Sequence, residues 1–265
     1  MKLMLKDGTI VSVEPFPSPH PQISLYTVTY MSSGLKVRGL LAEPDGEEPI
    51  DGFLYLRGGI NNVGKVRPGR IIQFASEGFI VFAPFYRGNM GGEGYEDFAG
   101  EDRNDGIAAV KVLEQFKRVS RIHVFGFSRG GVMALWTAIA ATNVASVVTW
   151  AGVSDLFLTY EERVDMRRMM KRVIGGPPSK FPNLYEARTP NEELRDLNCP
   201  VLIIHGALDQ NVSIEHAEIL YKKLKDFGKT VETWYFDDFT HFFPPQMNRE
   251  TVKKLANWMK AQGHS

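Results

Sequence analysis

The sequence is short of cysteine, of net charge and of long apolar runs, and each shortage closes off a class of protein. Its one cysteine, Cys199, stands in the apolar stretch CPVLIIHG, so neither an internal disulfide framework nor a cysteine metal cluster can form. Thirty-one basic side chains offset thirty-one acidic ones, which leaves no long-range field to gather nucleic acid or an anionic membrane surface. No apolar run approaches the ~20 residues of a membrane span. The opening MKLMLKDGTIVSVEP puts charges where a secretory signal needs an apolar core. Internal repeats, low-complexity tracts and linkers are missing too. What remains is a 265-residue chain, 43% hydrophobic, expected to be cytoplasmic, to bury a sizeable core and to meet a small or neutral partner.

Residues 3 to 13 and the pair ISLYTVTYM and LKVRGLLAE alternate apolar with polar, and SSG joins the latter two, as in antiparallel strands at a sheet edge. The pattern then changes to short continuous apolar runs, DGFLYLRGG, GFIVFAPFY, RIHVFGFS, ASVVTWAG and CPVLIIHG, the mark of strands covered on both faces. Helical stretches separate them at roughly 66–77, 101–118, 129–142 and 154–174, with another at 213–227. TVETWYFDD adds a strand and 246–262 a closing helix. This alternation predicts one α/β domain over 1–265, a mostly parallel twisted sheet with an antiparallel N-terminal edge and helices on both faces. The stretch 154–198 is too long for a one-helix crossover and reads as a helical insertion. The N-terminal strands leave an oligomer open through edge pairing.

The segment RIHVFGFSRGGVMALW passes from a strand pattern into a helical one through Gly126, Ser128 and Gly130. With 25 Gly and 13 Ser, G-x-S-x-G would arise by chance in roughly one such chain in nine, so its context has to carry the argument. A nucleophile elbow needs a strand that stops abruptly, a helix that starts at once, and glycines flanking a strained turn. All three are here, and Gly131 adds room for close packing. The alternative is a plain helix N-cap.

A serine hydroxyl becomes a nucleophile only when a positioned base takes its proton, and the base needs a third group to fix its tautomer. Asp209, in VLIIHGALDQNVS, and His241, in YFDDFTHFFPP, follow later strands and give the chain order Ser, Asp, His of α/β-hydrolases. Asp209 could instead cap the helix near Ser213, with Asp155 as reserve acid. His20, His123, His205, His216 and His264 fall at less suitable places. The oxyanion donors are expected to be the backbone N–H of Arg129 and the loop after the first parallel strand, at Gly58, Gly59 and Ile60. The chemistry requires no metal and no organic cofactor.

YLRGG, APFYRGNMGGEGYED, GEDRNDGIAAVKVL, GFSRGGVMAL, CPVLIIHGALDQNVS and FTHFF together resemble, in order and spacing, the catalytic domain of the prolyl oligopeptidase family of serine peptidases, over roughly residues 22 to 262. The resemblance implies an α/β-hydrolase fold, a triad of Ser128, Asp209 and His241, and a small-molecule or short-peptide substrate. Related single-domain proteins act as esterases. One departure from the family is that many members carry a β-propeller before this domain, whereas with only about 20 residues ahead of the first matching strand none is expected here. Arg57 stands where the family commonly has Tyr or His. It could donate to the oxyanion, grip a substrate carboxylate, or pair with an acid such as Glu93 or Asp97. In the glycine- and acid-rich loop that follows, Asp102 and Asp105 are expected to begin a helix. Within the insertion, EERVDMRRMMKRVIGG is amphipathic, with Met166, Met169, Met170 and Val173 on one face. Arg167 and Arg168 are candidate contacts for an anionic substrate; the competing reading is a solvated basic face.

Overall fold

The computed structural model describes residues 5–61 and 63–262. The first two residues of the strand expected over 3–13, and His264, lie outside that range. The strands are β1 (Ile10–Phe16), β2 (Ile23–Ser32), β3 (Leu35–Pro44), β4 (Ile50–Leu56), β5 (Phe79–Pro84), β6 (Val119–Phe127), β7 (Val144–Trp150), β8 (Val201–Gly206) and β9 (Val231–Phe236). They form one sheet in the order β1-β2-β3-β5-β4-β6-β7-β8-β9. β1, β2 and β3 run antiparallel up to β5, and from β5 through β9 every pairing is parallel. Ser33 and Gly34, both at positive φ, close the β2–β3 hairpin in the turn whose twist suits paired strands.

Among the described residues the α-helices are α1 (Pro68–Ala75), α2 (Arg103–Leu113), α3 (Gly130–Ala140), α4 (Leu156–Glu162), α5 (Arg167–Ile174), α6 (Pro182–Glu186), α7 (Ile214–Asp226) and α8 (Pro245–Ala261). One face of the sheet is covered by α1 and α8, through Ile71, Phe74, Val252 and Leu255 among others. The opposite face carries α2, α3, α7 and the insertion, which contributes Met170, Ile174 and Tyr185. β4, β5, β7 and β8 are buried almost throughout, which accounts for their unbroken apolar runs. Because β4 pairs with β5 on one side and β6 on the other, the sheet has its topological switch at β4, where a crevice opens at the strands' C-terminal ends.

The insertion differs from the single helix expected over 154–174. Arg163 leaves helical geometry at φ −97° and ψ 70°, and a short 3-10 turn, Val164–Met166, separates α4 from α5. The Arg163 fork accompanies the break, donating to both Asp165 oxygens and to the Asn211 carbonyl. Asp102 and Asp105 begin α2 as expected, Asp102 at the N-cap position and Asp105 in the first turn. Neither side chain caps α2; both turn inward to buried ion pairs, Asp102 with Arg129 and Asp105 with Arg87.

Candidate active site

β6 ends at Phe127, and Ser128 follows at φ 56°, a left-handed conformation costing about 1–3 kcal/mol for a residue other than glycine. Three backbone hydrogen bonds hold it there. The Ser128 N–H donates to Trp150 O at 3.1 Å, and the Ser128 carbonyl accepts from Gly131 at 2.8 Å and Val153 at 2.9 Å. The flanking glycines are required by contact: a Cβ on Gly130 would overlap Leu56 O, and one on Gly126 would meet Ala134 Cβ at 2.8 Å. The room at Gly131 is used by the loop after β7, with Gly152 Cα 2.7 Å from where its Cβ would stand.

Asp209 follows β8 and His241 follows β9 at the same edge of the sheet. His241 Nδ1 donates to Asp209 Oδ2 at 2.7 Å, which leaves Nε2 as the lone-pair nitrogen. The other oxygen, Oδ1, accepts from the N–H groups of Asn211 at 2.8 Å and Val212 at 3.0 Å. Asp209 therefore serves its own turn and the imidazole together. Burial alone would raise its carboxyl pKa, but the bond from His241 and the two backbone donors outweigh that and hold it below the usual range. The imidazole packs against Phe127 and Phe242, with ring centroids 4.9 and 5.0 Å away. Ser128 and His241 line one cavity, and among the described residues no hydrogen bond joins them. Such a contact commonly tightens only when substrate binds.

The other described candidates lie elsewhere. Asp155 caps α4 through Phe157 and Leu158, Asp237 and Asp238 are exposed, and His123 lies between Ser146 and Asp51. His205 donates to Val212 O at 2.9 Å beneath Asp209, and His216 accepts from the N–H groups of Ser154 and Asp155.

The 57–61 loop lies directly against the elbow. A Cβ on Gly58 would stand 3.2 Å from Ser128 Oγ, and Gly59 has φ +66°. The N–H groups of Gly58, Gly59, Ile60 and Arg129 make no hydrogen bond to other described residues. Arg57 does not reach into the cavity as a free fork. It is buried, donates to Glu96 Oε1 at 2.6 Å and Phe85 O at 2.8 Å, and turns back on the Gly58 carbonyl at 3.0 Å. A salt bridge was one reading of Arg57, with Glu93 or Asp97 as partner; the partner is Glu96, which sequence reasoning missed. Glu96 is fully buried and also accepts from the Asn61 N–H, the Asn89 amide and the Arg129 guanidinium. Arg129 pairs in addition with Asp102 at 2.7 Å, and the ring of Tyr86 lies 4.9 Å from both guanidinium carbons. One carboxylate thus joins the loop carrying Gly58 to the elbow carrying Ser128.

The cavity over Ser128 measures about 1000 Å³. Met166 and Met169 line it as the amphipathic pattern predicts, but Arg167 and Arg168 do not. Arg167 bends back to the carbonyls of Tyr160 and Glu161, each at 2.8 Å, and Arg168 is exposed. Helical periodicity assigned the right face to the methionines and too much reach to the arginines. Among the described residues no cluster of three or more His, Cys, Asp or Glu side chains could hold a metal ion. No helix among them is long and apolar enough to cross a membrane.

The profile of the prolyl oligopeptidase family matches residues 66–264. The uncharacterized peptidase YtmA of Bacillus subtilis (strain 168) is 60% identical over 254 residues, which cover 95% of this chain and 99% of that protein. Among solved structures, the Pyrococcus horikoshii acylaminoacyl peptidase superimposes with a TM-score of 0.78 at 20% identity, covering 92% of this chain and 42% of its own. The acetyl xylan esterase from Paenibacillus sp. R4 gives 0.73 at 18% identity, covering 95% and 88%. These two share the fold, an α/β-hydrolase sheet. With three quarters of its length matched by one family profile, the chain belongs to the prolyl oligopeptidase family and is a serine hydrolase of that family.

Proposed function

We propose that this protein cleaves a short peptide or a small ester through an acyl-enzyme on Ser128. The observation that carries the reading is the Asp209–His241 hydrogen bond of 2.7 Å at the rim of a cavity that a left-handed serine also lines. Ser128 Oγ attacks the carbonyl carbon while its proton passes to His241 Nε2, and Asp209 holds the tautomer and offsets the imidazolium charge. The carbonyl oxygen becomes an oxyanion, accepted by the Arg129 N–H and by donors of the 58–60 loop. On collapse the C–N or C–O bond breaks, His241 returns the proton to the leaving group, and the acyl group stays on Ser128. Water then attacks with His241 again as base, and the product acid leaves a free hydroxyl.

Family membership and the name of YtmA favour a peptidase. The esterase reading rests on a different observation: the acetyl xylan esterase matches this chain over 88% of its own length, whereas the acylaminoacyl peptidase has further chain beyond the shared part. A cytoplasmic setting belongs to the same proposal, in keeping with a single buried thiol. The test is a panel of aminoacyl and prolyl amides beside aryl esters, run on the wild type and Ser128→Ala. Turnover of amides that vanishes in the variant supports the peptidase, turnover of esters alone supports the esterase, and turnover that survives the variant rejects both.

A further inference from the structure

The protein as a whole carries no net charge, yet the wall of its cavity does. Arg57 and Arg129 are neutralised there by Glu96 and Asp102, and Arg163 by Asp165, the sole carboxylate of the described lining. Lys65, Arg67 and Arg70 also line the cavity, and among the described residues none of them has a carboxylate within salt-bridge distance. Three cations without a carboxylate partner around one cleft give it a positive potential.

Arg70 is distinct from the other two. Lys65 and Arg67 are exposed, whereas Arg70 is half-buried on α1 and held in one orientation. Its Nη1 donates to Gln73 Oε1 at 2.8 Å and to Asn248 Oδ1 on α8 at 2.9 Å. The guanidinium carbon lies 4.8 Å from the Phe74 ring centroid and 5.5 Å from that of Trp150. Every partner is neutral, so the cation is fixed without being discharged, and Nε and Nη2 donate to no other described residue. A fork in that state matches a carboxylate, and its immobilisation cost has already been met in the fold. Trp150 also ties it to the chemistry, because the Trp150 carbonyl receives the Ser128 N–H.

We propose that the cavity selects substrates bearing a free carboxylate, with Arg70 as its anchor and Lys65 and Arg67 supplying attraction at the rim. The inference rests on the hydrolase reading for turnover, but its binding half does not need it. A neutral strut between α1 and α8 would require the two amide contacts and no charge. The preference for an anion is what separates the two roles.

Two pairs of substrates test this: 4-nitrophenyl monosuccinate against its methyl ester, and 3-carboxyphenyl butyrate against 3-carbamoylphenyl butyrate. The wild type is expected to favour the carboxylate member of at least one pair by about 10-fold in kcat/KM, chiefly through KM. Arg70→Gln removes that preference and leaves the neutral partner within about 3-fold. Arg70→Lys restores part of it, and Lys65→Ser with Arg67→Ser weakens its dependence on salt. Absence of any preference in the wild type, or an equal loss on both members of each pair in Arg70→Gln, overturns the proposal. A parallel arm uses the Ser128→Ala protein, where glutarate is expected to raise the melting temperature and glutaramide is not, with the glutarate effect lost when Arg70→Gln is added. A glutarate effect in a protein whose wild type turns over nothing retains the anion site and rejects the hydrolase. Turnover without any carboxylate effect in either arm rejects the site alone.

Discussion

Gly58 packs against Ser128 so closely that a methyl group built on it would stand 2.6 Å from the serine Cβ and 2.9 Å from the Phe127 carbonyl. Gly58→Ala must therefore push the 57–61 loop and the elbow apart. If the loop supplies oxyanion donors, kcat falls by about 10²–10³ while stability drops by only about 1–3 kcal/mol. Steady-state kinetics beside denaturant unfolding checks both. Unchanged kcat in a folded variant would remove the loop from the mechanism.

Glu96 is the buried link between that loop and the elbow, and its loss leaves the Arg57 and Arg129 guanidinia with one buried carboxylate, Asp102, instead of two. Glu96→Gln keeps the shape and removes the charge, with an expected cost of about 3–5 kcal/mol in guanidinium unfolding. Glu96→Asp keeps the charge and is expected to recover part of it. A loss below about 1 kcal/mol in Glu96→Gln would show that the network contributes little to the fold.

The acid side of the stability profile belongs first to histidine. Burial, aided by nearby His205, pushes His216 down to about 3, and burial lowers His205 as well. Below an ordinary value near ~6.5 the unfolded chain binds protons that these folded imidazoles refuse, so stability is full above that value and falls as pH drops toward the folded one. His216 alone is expected to remove about 2 kcal/mol between roughly pH 7 and pH 5. His216→Asn should flatten the slope in urea melts at the two pH values. Asp209, whose pKa is lowered too, adds its loss later, as pH falls through the ordinary carboxylate range toward its depressed folded value. An unchanged slope in the variant would assign the acid sensitivity elsewhere.

Cys199 is buried, and that burial pushes its thiol up to about 12 despite the nearby Lys229. Iodoacetamide at mildly alkaline pH should modify it only after unfolding. Rapid alkylation of the native protein would mean that the β8 entrance opens locally.

The sheet was legible in the sequence because its strands announce their burial. Short continuous apolar runs bounded by turn residues mark strands covered on both faces, and Ser33-Gly34 between two alternating runs marks a hairpin. The pairing of Asp209 with His241 was legible for a chemical reason, since a base at one strand end needs an orienting acid at a neighbouring one, and the 2.7 Å contact between them is the part of that reading the structure contains. Glu96 was not. Its partners Arg57 and Arg129 stand 39 and 33 residues away in sequence, and nothing local distinguishes it from the other acids of its loop. Arg70 was missed because a lone arginine at a helix start carries no pattern; its fixed orientation depends on Asn248 of α8, 178 residues away. Arg167 and Arg168 were drawn to the substrate by a periodicity that reports a face and not a neighbour.

The most direct measurement is covalent trapping with a fluorophosphonate followed by peptide mass spectrometry. One adduct per chain, on the peptide containing Ser128, absent in Ser128→Ala and formed at least ~10²-fold more slowly in His241→Ala, is the predicted result. A folded wild type that takes no label, or takes it on another residue, contradicts the account.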